Sequence, residues 1–430
     1  MPPPKEAIMS DSTADILALT DFSKKRADWL CDLNQVGESF ETLISLDEDG
    51  LLRAAREETG LSDFGPDDFR RPLSLLMQSL ENEAQLTFMG RIMARQDVLI
   101  LLKNRLLIVE TFKKNPEIER EEIKEPLFIV GLSRSGTSIL HELLTQDSRH
   151  RTLLSWEARR PCPPPEEETY GTDPRIAQAE SELTLWPKIV PAYQAMHEMG
   201  AQIPTECGDI TCHAFIGDRL PALHQVPTYA SNVALADMRP AYQIHKQILQ
   251  ILQFKVKRER WLLKAPAHMN WLPTLFEVYP DARVIQTHRD PLQIMGSTVS
   301  LISAILWMRT KAVDPEGVKL AFGPAYYAPQ LYNVMRQRDE GIIPAEQFHD
   351  VRFQDMMDAP FETIRGAYDY FGWDYTAEVE SRMRAYLEHK PRDKFGKHFY
   401  SFSDLGLDLE TERARYAGYQ ARFDVPSEVT

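Results

Sequence analysis

EPLFIVGLSRSGTSILHELL, from Glu125 to Leu144, is the stretch that decides the fold. Leu127–Val130 is a short apolar run, Gly131–Ser138 is a Gly- and Ser-rich turn, and the residues that follow read as a helix. Strand, glycine turn and helix in that order build a phosphate cradle. The N–H groups at a helix start point one way, and the helix dipole adds partial positive charge there. The spacing is that of a P-loop: Gly131, four residues, Gly136, then Thr137 and Ser138. The lysine expected after Gly136 is absent; Thr137 stands there, and the cation comes earlier, at Arg134. The loop is read as an anion site that does not work as a Mg-ATP hydrolase does.

Outward from this loop, RWLLKAPAHMNWLPTLFEVYPDARVIQTHRDPLQIMGSTVSLI (Arg260–Ile302) repeats the logic. It reads as strand (Trp261–Lys264), helix (His268–Val278), strand (Arg283–Thr287), turn, and helix from Pro291. Such alternation implies parallel strands. Upstream, Asp15–Lys114 has mainly helical spacing, and the acidic run EIEREEIKE leads to Pro126. Downstream, four prolines between Pro161 and Pro165 preclude regular helix or central strand. The fold class expected is α/β, a P-loop-like parallel sheet core flanked by helices. The expected division is a helical N-terminal region over residues 1–124 and an α/β domain over 125–430, with about 165–255 as a helical cap insertion.

Composition narrows the function. A formal charge of −15 makes the chain a poor candidate for wrapping nucleic acid. Four cysteines in 430 residues are too few for a disulfide framework, so a reducing, cytoplasmic setting is expected. Cys207, Cys212 and His213 invite a metal reading, but no second Cys/His pair stands at zinc-finger spacing, and no metal is expected. The start of the chain has no apolar signal region. The longest apolar run, VLILLKNRLLIV, is broken by Lys103, Asn104 and Arg105 and reads as a buried helix face rather than a membrane span.

HRDP closes the third strand, and Ser297 lies eight residues after Arg289. A guanidinium and a hydroxyl so placed can grip a second phosphate. The bland alternative is a local Arg289–Asp290 ion pair and a neutral helix serine. Taken together, GLSRSGTS, the WE–Pro-rich segment, LLKAPAH and HRDP-x5-S resemble sulfotransferases that use 3′-phosphoadenylyl sulfate. The resemblance is to the bacterial-type group, distantly related to the tyrosylprotein enzymes. It covers about Pro126 to Leu301, with a weaker echo near Gly396–Ser401.

That resemblance implies roles by position. Arg134, Ser135, Gly136, Thr137 and Ser138 match the loop that holds the 5′-phosphosulfate. Arg289 and Ser297 match the pair that binds the 3′-phosphate. Lys264 matches a lysine acting near the transferred group. Glu157 matches the general base of the tyrosylprotein enzymes, with two extra residues between loop and base. Lys397 and His398 resemble a segment that closes over the nucleotide. The expected reaction is sulfuryl transfer to a hydroxyl or amine of a small-molecule acceptor, with no metal and no nucleic-acid partner.

Rival bases are His141, His197, Glu198 and Glu206. Trp186, Tyr193, Met196, Met199 and Phe215 offer either an apolar acceptor pocket or helix packing. An atypical P-loop kinase or NTPase is the alternative enzyme, and a non-catalytic nucleotide binder the alternative outside catalysis. His288-Arg289-Asp290 and Asp63-Phe64-Gly65 mimic kinase triplets, but in reversed order and without the required Asn.

Overall fold

The computed structural model describes residues 16, 19–390 and 400–429. The chain enters through helices α1 (Asp28–Gly37), α2 (Glu48–Thr59), α3 (Arg70–Asn82) and α4 (Phe88–Lys114). Their ends carry local signals. Asp47 accepts the Gly50 N–H at the start of α2, Gly60 closes that helix with φ 69°, and Thr87 accepts the Gly90 N–H at the start of α4. The polar break in the α4 run is buried for a reason. Asn104 donates to the Arg159 carbonyl at 2.8 Å, and Arg105 donates to the carbonyls of His213 and Pro66 at 3.0 Å each. No helix among the described residues is long and apolar enough to cross a membrane.

The core is a five-stranded sheet in the order β2-β3-β1-β4-β5. Its strands are β1 (Leu127–Gly131), β2 (His150–Thr152), β3 (Arg260–Lys264), β4 (Arg283–His288) and β5 (Phe348–Arg352), and every pairing is parallel. Every residue of β1 and β3 is buried, as a sheet covered on both faces requires. The expected parallel core is present, with two strands beyond those read from sequence, β2 and β5. Both lie at sheet edges; β2 has three residues, and only Phe348 and Val351 of the five β5 residues are buried.

After β1 the chain builds β2 and β3 on one side, then crosses to build β4 and β5 on the other. The carboxyl end of β1 is therefore a topological switch point, where open α/β sheets bind ligands. Register aligns the strand ends: Ile129 pairs with Lys264, Gly131 with Thr287, and His288 with Arg352. Five further helices frame this edge: α5 (Thr137–Leu144), α6 (Ser155–Arg159), α7 (Arg239–Gln253), α8 (Pro291–Trp307) and α9 (Pro324–Asp339). A final helix, α10, spans Leu409–Phe423. The largest apolar cluster runs from Ile16 to Val425, and a second joins α2, α3 and α4 to Phe215, Leu220 and Tyr229.

Candidate active site

The phosphate loop is shaped by close packing. Gly131 has φ 137°, and a Cβ there would lie 2.2 Å from Thr287 Oγ1. Only glycine fits between β1 and β4 at this point. Ser135 turns inward: its Oγ donates to the Leu132 carbonyl at 2.5 Å and lies 2.7 Å from Thr287 Oγ1, while its N–H bonds Leu132. The Ser135 side chain therefore shapes the loop from within. Gly136 caps α5 with φ 91°. Thr137, Ser138 and Ile139 precede the first intrahelical bond, from Leu140 N–H to Gly136 O, so their N–H groups are left without intrahelical partners at the end of the loop.

Arg134 sits at the loop apex with φ 68°. Its Nη1 donates to the Met196 carbonyl at 3.2 Å, and its own carbonyl accepts from Arg289 Nη1 at 3.1 Å. The two sequence motifs thus meet through Arg289. The rest of the Arg289 fork holds a carboxylate near the chain end. Nε donates to Glu428 Oε1 at 2.9 Å, and Nη2 to Oε2 at 2.8 Å. The Phe353 ring lies 3.8 Å from the guanidinium. Asp290 does not pair with Arg289. It accepts from Arg413 at 2.7 Å and from the backbone N–H of Glu428 at 2.7 Å, anchoring the segment that carries Glu428. Ser297 is buried on α8. The neighbouring Gly296 is covered so closely that a Cβ would lie 2.9 Å from the Ser401 carbonyl. Lys397 and His398 lie outside the described residues.

Lys264, at the end of β3, donates to Glu206 Oε1 at 2.8 Å, and its carbonyl accepts the Cys207 N–H. The Lys264 side chain is buried, whereas that of Glu206 is 40% exposed toward the cleft. Desolvation works against the Glu206 carboxylate, but the Lys264 ammonium and its hydrogen bond outweigh it and hold the group below its ordinary range. Phosphate loop, Glu206 and Arg289 open on one cleft of about 470 Å³. Its lining includes the apolar side chains of Met269, Leu301, Ile305 and Phe322 together with Tyr327. Asp218 also lines it, and burial followed by the Glu206 charge pushes its carboxyl up to about 6.

Glu157 does not fit the role of base. It is fully buried, takes both Arg151 guanidinium nitrogens, and accepts the Leu154 N–H at 3.1 Å. Its neighbours on α6, Ser155 and Arg159, line the cleft, but Glu157 does not. Two residues along a helix is about half a turn, which points it the other way. His141 is also removed. Its Nε2 meets Thr152 Oγ1 at 2.9 Å, and burial pushes its pKa down to about 3. His197 and Glu198 line the cleft, as do Tyr193 and Met199, whereas Trp186, Met196 and Phe215 are core residues. Phe353 and Glu428 had no local signal in the sequence, because each reaches the site from a segment remote from the motifs; Tyr400 falls in the Gly396–Ser401 echo but was not singled out there.

The sequence profile described as the sulfotransferase family matches residues 126–377. The chain is 26% identical over 280 residues to the ω-hydroxy-β-dihydromenaquinone-9 sulfotransferase of Mycobacterium bovis; the match covers 61% of this chain and 66% of that protein. It is similar to the crystal structure of sulfotransferase STF9 from Mycobacterium avium, with TM-score 0.80 and 30% identity over 90% of this chain and 99% of that one. Sulfotransferase STF1 from Mycobacterium tuberculosis superposes with TM-score 0.75 and 31% identity, covering 86% of this chain and 98% of that one. The chain belongs to the sulfotransferase family and is a sulfotransferase enzyme of the bacterial type.

Proposed function

We propose that the protein transfers the sulfuryl group of 3′-phosphoadenylyl sulfate to the hydroxyl of a small apolar acceptor. The observation that carries this reading is the convergence of the phosphate loop, Glu206 and Arg289 on one cleft at the switch point, with the buried Lys264 hydrogen-bonded to Glu206 behind its wall. The first-turn N–H groups of α5, with Arg134, Thr137 and Ser138, would hold the 5′-phosphosulfate. Arg289 and Ser297 would hold the 3′-phosphate. The sulfur–oxygen bond to the donor phosphate breaks, one forms to the acceptor oxygen, and the acceptor proton goes to Glu206. Sulfuryl transfer needs in-line positioning and fixed cations where charge gathers on the leaving phosphate. Lys264 is the cation suited to that task.

The Lys264–Glu206 bond supplies a coupling. While Lys264 holds Glu206 Oε1, the carboxylate is a weak base. Drawing Lys264 toward the leaving phosphate restores the basicity of Glu206 when the acceptor must lose its proton. The apolar side chains of the lining suit an alcohol on a hydrocarbon body, and the name of the M. bovis relative describes such an acceptor. Calorimetry with 3′-phosphoadenosine 5′-phosphate tests the donor. Binding to the wild type, weakened in Arg289→Ala, is expected; no binding to the wild type refutes the reading. Arg134→Ala is expected to abolish turnover with labelled donor.

A further inference from the structure

Behind the cleft wall, three side chains that sulfuryl transfer does not use meet in the core. Cys207 follows Glu206 in the chain, His268 lies four residues past Lys264, and His245 sits on α7. All three are buried, at 1%, 3% and 0% exposure respectively. Cys207 Sγ and one ring nitrogen from each histidine lie within 4.8 Å of one another. Each histidine commits its Nδ1 to a tyrosine hydroxyl: His245 to Tyr279 at 2.7 Å and His268 to Tyr242 at 2.6 Å. The Nε2 atom of both rings has no hydrogen-bond partner among the described residues. Phe128 packs within 6.2 Å of both rings and offers no polar atom. Two buried ring nitrogens left unpaired beside a thiol are costly unless something binds them.

We propose that Cys207, His245 and His268 bind one thiophilic d10 metal ion, zinc(II) or copper(I), as a structural site. One thiolate and two imidazoles form a donor set for either ion. The tyrosine hydroxyls supply the outer partners that fix ring orientation and tautomer, each accepting from Nδ1–H while Nε2 faces the ion. The centre of a triangle with 4.8 Å edges lies about 2.8 Å from each corner, so the donors close by roughly half an ångström to reach zinc–ligand distances. On binding, the Cys207 thiol loses its proton to solvent and a sulfur–metal bond forms; both imidazoles stay neutral and no electron is transferred. None of the three lines the cleft, although Glu206 on one side and Pro266, Ala267 and Met269 on the other do. The ion would tie α7 and the Glu206 segment to the turn after β3, fixing the cleft wall without entering the reaction.

The sequence neighbours Cys212 and His213 are not part of this set. Cys212 Sγ bonds the Asp209 carbonyl at 3.3 Å, and both ring nitrogens of His213 are engaged, by Ile210 O and Asn104 Nδ2.

The test uses the full-length, untagged protein expressed with zinc, copper or cobalt supplementation and purified without chelator. Elemental analysis by mass spectrometry is expected to find about one equivalent of zinc or copper per chain, falling below roughly a tenth in Cys207→Ser and His268→Asn. Cobalt-grown wild type is expected to show a thiolate-to-cobalt charge-transfer band that Cys207→Ser lacks. If a variant does not fold, the wild-type metal content and cobalt band decide alone. Wild type with less than about a tenth of an equivalent under every supplement and no cobalt band overturns the proposal. So does metal retained in full by folded Cys207→Ser.

Discussion

Replacing Glu157 and Glu206 with glutamine, one at a time, separates a structural carboxylate from a reacting one. Glu157 and Arg151 are 0% and 5% exposed, so Glu157→Gln leaves Arg151 charged and unpaired in the core. Breaking a buried pair by removing one partner costs about 3–5 kcal/mol. For 430 residues, at about 2.1 cal/mol/K per residue, the unfolding entropy at the midpoint is about 0.9 kcal/mol/K, so Tm falls by roughly 3–6 °C. Turnover per folded molecule stays near wild type. Glu206→Gln differs in what it does to turnover. It also strips the buried Lys264 of its carboxylate, so Tm falls, though less because Glu206 is itself 40% exposed, while kcat falls by about 10²–10⁴-fold with the loss of a positioned base. The assay pairs differential scanning fluorimetry with initial rates from labelled donor, normalised to folded protein. A Glu157→Gln variant with unchanged Tm and a thousandfold loss of kcat would falsify the assignment. So would a Glu206→Gln variant that turns over normally.

Glu428→Gln is expected to raise affinity for 3′-phosphoadenosine 5′-phosphate, because the nucleotide no longer displaces a carboxylate from Arg289. A partly exposed pair is worth about 0.2–1 kcal/mol, hence roughly 1.5- to 5-fold by calorimetry, and weaker binding would contradict it. Gly131→Ala forces a Cβ to 2.2 Å from Thr287 Oγ1 at φ 137°, so nucleotide binding and Tm are both expected to fall; an unchanged Tm refutes the packing argument. Acid stability follows buried histidines. Burial pushes His141 down to about 3 and His150 and His213 down to about 4. Their folded values lie below the unfolded one, so stability is fully present above about pH 6.5 and is lost as pH falls below it. These three protons amount to about 6 kcal/mol between pH 7 and 5, or a Tm drop of roughly 6 °C by scanning fluorimetry. A flat Tm over that range would show the histidines to be solvated.

The sequence by itself determined the central strand, its loop and the parallel core around them. Leu127–Gly131, Arg260–Lys264 and Arg283–His288 each carry a short apolar centre followed closely by a Gly- or Pro-containing turn and then a helical pattern, a local signal strong enough to be read from the chain alone. The edge strands His150–Thr152 and Phe348–Arg352 were not legible, because one is very short and the other is half solvated and needs its neighbour to be a strand at all. The same divide runs through the site. Arg134 and Arg289 stand out in the sequence by their place just after strand ends, and Lys264 through the family resemblance of LLKAPAH. Glu157 could not be judged, since spacing along the chain says nothing about which face of α6 meets Arg151. Only the tertiary structure brought Glu206 to Lys264 across 58 residues and Glu428 to Arg289 across 139. It also turned Cys207 away from its sequence neighbours Cys212 and His213 and toward two distant histidines. Charge pairing and burial are decided by which surfaces the sheet and the helices around it press together, and no local pattern encodes that.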